Sequence, residues 1–302
     1  MSEAAVSVWQ LRWRRLRRDW PALAGAGVLV ALYLACRAAP WLEDWLGVSG
    51  VETDLLSRFE PADGQHWLGS DEAGRDELCR LLRGGQVSLS IGFMAALGSS
   101  LVGTVIGACA GYFRGKVDMV LMRFTDFVLA LPGLPVLIIL AAIDLTKLGF
   151  SQDFVRSGDA GYWRIVAIVT LLGWTTVARL VRAATLALAE REFVLAARAQ
   201  GASAWRVLWE HVLPNAISPV IVATTLRMGG VLLTESALSF LGVGIQPPAT
   251  SWGSMLTNAQ ELIATAPLLA IYPGALVLVS VIAINFFGDG LQSAFDPRSD
   301  PG

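Results

Sequence analysis

Long apolar runs alternate with short polar stretches along this chain, and several runs have the length of a bilayer crossing. The clearest are Gln86 to Phe113, Phe127 to Ile143, Ile165 to Ala178 (extending toward Ala189 past two arginines) and Ala266 to Phe287. Two more are less clean: Pro21 to Ala35 behind a basic head, and Ile217 to Ile245, interrupted by Arg227 and Glu235. At roughly 20 residues per span, six helices use most of the chain, which predicts an all-α polytopic membrane protein without a large soluble domain. One polar stretch is more than a loop. Residues 190–219 read EREFVLAARAQGASAWRVLWEHVLPNAISP, amphipathic and Gly-punctuated between two spans. A helix this polar gains nothing from lipid, so the segment reads as a protein contact on one membrane face.

Composition agrees with that class: 54% of residues are hydrophobic and 16% charged, and mean hydropathy is +0.56. Charge sets the orientation, because Lys and Arg are retained in cytoplasmic loops. With Arg12, Arg14, Arg15, Arg17 and Arg18 inside, six spans put fourteen Lys or Arg in inner segments and seven in outer ones. The outer segments carry most of the acid, ten residues of it between Glu43 and Glu77. Both termini are therefore expected in the cytoplasm, with Ser2, Ala204 and Ser299 inside and Asp63 and Ser251 outside. The basic head and apolar run lack a small-x-small site followed by a secreted domain, and Tyr33 stands where a lipoprotein signal ending at Cys36 needs an aliphatic residue. The first helix is thus expected to stay uncleaved. Cys36, Cys79 and Cys109 make no disulfide framework, since only Cys79 should face the oxidising side.

Catalytic patterns fail on inspection. Gly111 to Lys116, GYFRGK, is one residue short of a phosphate loop and continues with Val117 instead of a hydroxyl for magnesium. Gly47 to Gly50 reads GVSG, but Ser49 lies in a polar outer segment and no span supplies a histidine. His66 and His211 fall on opposite sides of the membrane, so neither a zinc site nor a Ser-His pair assembles, and each reads as a polar surface residue. No metal, cofactor or nucleic acid is expected.

Ser99, Gly103, Gly107 and Gly111 recur every four residues and place small side chains on one helix face, favouring tight packing over a pore lining. Pro132 and Pro135 in the third span, and Pro267 and Pro273 at the start of the sixth, predict kinks or broken turns. Arg227 and Glu235 are the candidates for the translocation path, because a charge inside a span faces a cavity or a partner. At eight residues, roughly 12 Å, they are too far apart for a direct pair. For Arg227 three readings stand: a ligand for a solute carboxylate, a bond to a partner subunit, or a bond to backbone carbonyls.

AARAQGAS (Ala196 to Ser203) followed by HVLPN (His211 to Asn215) resembles the EAA loop of the integral membrane permeases of bacterial ABC importers, with Leu195 where the general pattern has Glu. HWLGSDEAGRD (His66 to Asp76), ESALSFLGVGIQPPATSWGSML (Glu235 to Leu256) and NFFGDGLQSAFDPR (Asn285 to Arg298) narrow the resemblance to the C-type permease of dipeptide, oligopeptide and nickel importers. It implies an ABC importer type I core of five helices plus one N-terminal helix. The expected organisation is a basic head and first helix over 1–40, an extracytoplasmic segment over 41–85, a core over 86–290 with its coupling loop at 190–218, and a cytoplasmic tail over 291–302.

The resemblance further implies a second, homologous permease, two cytoplasmic ATPases that use ATP and magnesium, a substrate-binding protein outside, and the bacterial plasma (inner) membrane with its lipid as setting. This chain would perform no chemistry. Its coupling helix would seat in an ATPase cleft through Glu192, Leu195, Ala196, Ala197, Arg198, Gly201, Ala202, Ser203, Leu213 and Pro214. Ala196 and Ala197 would permit close docking, Gly201 would turn the chain at positive φ, and Pro214 would stop the returning segment before the fifth span. Import would proceed by alternating access. Di- or oligopeptides lead as solutes; nickel chelates, some sugars and other small solutes stay open. An ATPase-independent channel or secondary transporter is the rival from another class, although the chain shows no convincing inverted repeat. A membrane scaffold is a further rival.

Overall fold

The computed structural model describes residues 8–156 and 158–295. Ser2, Ser299 and the last residues of the Asn285 to Arg298 block lie outside the described residues. The basic head forms α1 (Val8–Leu16), and α2 (Trp20–Arg37) is the first span, capped where the Asp19 carboxylate accepts from the Ala22 N–H. Beyond its C-terminal end α3 (Ala39–Leu46) leaves Trp41 and Trp45 exposed and stacked. Tryptophan favours this depth, where one side of the ring is apolar and the other wet.

The long helices that follow are α4 (Glu77–Phe113), α8 (Gly158–Leu188), α11 (Leu213–Phe240) and α14 (Leu268–Phe295). Five helices are long and apolar enough to cross a membrane, and a sixth span results when one bent pair is counted as one. α4 starts at Glu77, nine residues before the expected span. At 1.5 Å per residue its 37 residues run roughly 55 Å, so its first turns stand clear of a ~30 Å hydrocarbon core.

The third span is broken, as its two prolines predict. Instead of one helix over Phe127 to Ile143, α5 (Gly115–Ala130) and α6 (Gly133–Ala141) meet at 84°. Pro132 is the cause. It cannot donate to the helix and pushes the preceding residue out of the α region, and Leu131 sits at φ −70°, ψ 140°. Pro135 lies in the first turn of α6, where a missing N–H costs nothing. Two ion pairs tie α5 to α8, Arg182 to Asp118 and Arg179 to Asp126, which explains how two arginines sit in a continuous α8.

α4 and α8 form the most extensively packed pair. The small-residue stripe is their contact line: a Cβ on Gly103 would lie 2.6 Å from the Trp174 carbonyl oxygen, one on Gly111 2.7 Å from that of Arg182, and one on Gly107 would strike that of Ala178. Ser99, fully buried, continues the stripe. The remaining described helices are short: α7 (Gln152–Arg156), α9 (Glu192–Ala199), α10 (Ala204–Arg206), α12 (Trp252–Met255) and α13 (Ala259–Thr265).

Side-chain contacts identify the two ends of the bundle. Arg114 pairs with Glu190, Phe113 packs on Trp205, and Arg12 lies over the Phe295 ring, so α1 and the end of α14 share one end with residues 190–206. The opposite end is a folded cap over residues 41–85. Glu43 grips Arg83 with both carboxylate oxygens, Asp71 receives Arg75 and Arg80, and Asp76 caps α4 while accepting from the His66 ring at 3.0 Å. His66 is therefore a partner of a buried carboxylate instead of the expected free surface residue. Burial opposes the Asp71 charge, yet Arg80, Arg75 and two backbone N–H groups outweigh it and hold the carboxyl below its ordinary range.

Candidate coupling site and membrane groove

The 190–218 segment folds as a short helix, a turn and a returning rod. α9 ends at Ala199 with Gln200 as its C-cap, and Gly201 takes φ +85°, the left-handed geometry expected of it. The Ser203 hydroxyl then caps α10, accepting from the Arg206 N–H. Beyond α10 the chain does not stop at Pro214. Val207–Val212 forms a π turn in which the Leu213 N–H reaches the Leu208 carbonyl, and the helix runs unbroken from Ala204 to Phe240. A proline ring would clash with the carbonyl four residues back in a regular helix. The widened turn absorbs it.

The two alanines separate. Ala197 is buried in the chain's own interior with Val194, Val207, Leu208, Val212, Val177 and Val181, so it braces α9 on the bundle instead of facing a docking partner. Each large apolar side chain buried there contributes roughly 1.5–3 kcal/mol. Ala202 and Leu213 are half-buried against the same cluster. Glu192, Leu195, Ala196, Arg198, Gly201, Ser203 and Pro214 face outward. Arg198 lies over the Tyr112 ring, and Arg206 pairs with Glu210. Sequence reasoning missed Phe193 and Trp209, which stand exposed on this surface. Their signal was large apolar residues inside a polar loop. With Leu195 they are large apolar side chains exposed among charged residues at one end of the molecule.

Glu235 and Arg227 also separate. Glu235 is fully buried inside the chain's own bundle: Ser88 and Ser239 donate to its carboxylate at 3.1 and 2.8 Å. The Trp252 N–H bonds Ser88 and its indole N–H bonds the Leu81 carbonyl, so the Glu235 to Leu256 block folds back as a plug between α4 and α11. Glu235 thus fastens that plug and is not part of the cleft wall that Arg227 lines. Ser251 is fully buried in the same plug, which removes it as an accessible outer marker.

Arg227 lines a cleft of about 780 Å³ between α8, α11, α14 and α1. On α11 the lining positions 215, 218, 219, 222, 223, 226, 227 and 230 form one helical face. Among the described residues Arg227 has no ion pair, and its Nε is buried without a hydrogen-bond partner.

Two family models match the chain. Residues 103–301 match the binding-protein-dependent transport system inner membrane component, and residues 7–49 match the N-terminal TM domain of oligopeptide transport permease C. The chain is 35% identical to the dipeptide transport system permease protein DppC of Alkalihalophilus pseudofirmus, over 97% of this chain and 91% of that protein. It is 36% identical to the glutathione transport system permease protein GsiD of Pectobacterium atrosepticum, over 96% and 91%. To the oligopeptide transport system permease protein OppC of Haemophilus influenzae it is 33% identical, over 97% and 89%.

Proposed function

We propose a function on one premise: the chain belongs to the family of binding-protein-dependent transport system inner membrane components. It is the C-type permease subunit of an ATP-driven importer of di- or oligopeptides. With a second, homologous permease it forms the path for solute delivered by an extracytoplasmic binding protein across the bacterial inner membrane. Two cytoplasmic ATPases bind and hydrolyse the ATP, and this chain carries out no chemical step. Both termini and the 190–206 end face the cytoplasm, as the positive charges favour.

The observation that carries this reading is the mechanical continuity of the coupling segment. The exposed patch of α9 is fixed by Ala197 and Val194 to the same cluster that holds the start of the Ala204–Phe240 helix. A displacement applied to α9 is therefore transmitted to a rod that crosses the whole membrane. An ATPase-independent channel has no use for such a lever. Purifying the tagged chain in mild detergent tests the proposal. Two ATPases and a second permease should copurify, and the reconstituted complex should take up trialanine only with ATP and its binding protein. A chain that runs alone and conducts solute without ATP would sink the reading.

A further inference from the structure

We propose that the cleft along α11 holds the carboxylate of the passing solute at mid-membrane, with Arg227 as the anion-binding residue; the inference rests on the peptide-import reading. Position comes first. Arg227 lies roughly 21 Å from the start of α11 and roughly 20 Å from its end, at 1.5 Å per residue. A lipid phosphate sits about half a bilayer away from that depth. A cation there requires an anion or a polar cavity, and among the described residues the cleft wall holds Arg12 and Arg227 and no Asp or Glu.

The surroundings make room for the guanidinium. Gly173 on α8 faces it so closely that a Cβ there would lie 2.5 Å from Nη2 and 2.6 Å from the Ser99 hydroxyl. The Ser99 hydroxyl is itself buried without a partner. Thr176, one turn along α8, and Ser218 on α11 add hydroxyls to the wall. From Arg227 the cleft runs roughly 18 Å along α11 to Asn215. It ends beside Gln292 and Arg12, at the end where the coupling segment enters. The wall thus runs from mid-membrane to the inner face on the helix that the lever moves, largely apolar but carrying polar groups at Thr176, Ser218, Asn215 and Gln292. A peptide presents one carboxylate at its C-terminus, and Arg binds it with a two-pronged fork.

The test uses the assembled importer in proteoliposomes and compares uptake of trialanine with that of its C-terminal amide, each as a variant-to-wild-type ratio so that delivery by the binding protein cancels. Arg227→Met should lower trialanine uptake about tenfold and amide uptake less than about twofold, with unchanged yield of the complex. Arg227→Lys should fall between, because a point charge replaces the fork. Gly173→Ala, which crowds the guanidinium and keeps the charge, should show the same selective loss. Equal losses for both solutes, or a lower yield of assembled complex in Arg227→Met, would overturn the site in favour of a strut to the partner permease. If the wild-type importer takes up no trialanine, the peptide reading fails and not the placement of Arg227.

Discussion

The cap over residues 41–85 and the coupling segment are both polar structures at opposite ends of an apolar bundle, yet one buries its charges and the other exposes them. In the cap, acids and bases satisfy one another: Glu43 with Arg83, Asp71 with Arg75 and Arg80, Asp76 with His66. At the other end the Arg114–Glu190 and Arg206–Glu210 pairs are exposed, and Glu192 and the apolar Phe193, Leu195 and Trp209 face outward. Buried charges that pair internally build a rigid lid. A surface left apolar and charged together is one that a partner completes.

The largest effect should come from opening the lid. Asp71 and Arg80 are almost wholly buried, and removing one member of such a pair strands the other, at a cost of about 3–5 kcal/mol. Asp71→Ala should therefore lower the thermal stability of the detergent-solubilised protein sharply and expose residues 50–76 to protease, while ATPases still copurify. Loss of the ATPases with an intact cap would break the contrast between the two ends.

Next in size is a pair of neighbours on α9. Ala197→Trp overfills the chain's own interior, and overpacking of this kind costs about 1–3 kcal/mol. Its signature should be a lower melting temperature. Ala196→Trp should leave melting unchanged and reduce ATPase copurification, because that side chain faces outward. Equal melting losses in both would show that the two alanines share one environment.

The sequence disclosed what depends on local pattern. Apolar runs located the spans, the four-residue stripe located the α4–α8 contact, and Gly201 announced its turn. It did not disclose which alanine turns inward, because that depends on how α9 rolls against Val177 and Val181 on α8. Pro214 misled for a related reason: a Leu-Pro pair after a polar loop reads as a stop, whereas the widened turn over Val207–Val212 leads straight into the helix. Glu235 looked like a path residue until Ser88 and Ser239 closed around it, and Ser88 is 147 residues away in sequence. The cap's ion pairs were equally hidden, with Glu43 and Arg83 meeting across 40 residues.

Two glycines with similar backbones sharpen the comparison further. Gly74 in the cap, at φ +74°, leaves no room for a Cβ, which would run into the Asp54 backbone, whereas around Gly201 nothing lies within 4 Å. Gly201→Val therefore meets only the backbone penalty of the left-handed region, about 1–2 kcal/mol. It should leave the protein in the membrane and reduce ATP-driven uptake roughly tenfold by reshaping the docking turn. Normal uptake and normal stimulation of ATP hydrolysis in this variant would remove the turn from the coupling contact.

The smallest effect separates the ends by pH. The folded carboxyl of Asp71 titrates below its unfolded value of about 3.9. In the interval between the two values the unfolded chain binds more protons than the native one, so stability falls as pH drops through it. Above the unfolded value the contribution is complete, and it should not change between pH 7 and about pH 5. Protease resistance of residues 50–76 should hold across that range and decline only in stronger acid. Asp71→Asn should start less resistant and show a flatter decline. The exposed Arg206–Glu210 pair of the coupling segment offers no such reserve, since solvent screens it, so Glu210→Gln should leave the acid profile of the cap as it was. A cap that loosens between pH 7 and pH 5 would mean that a group other than Asp71 governs it.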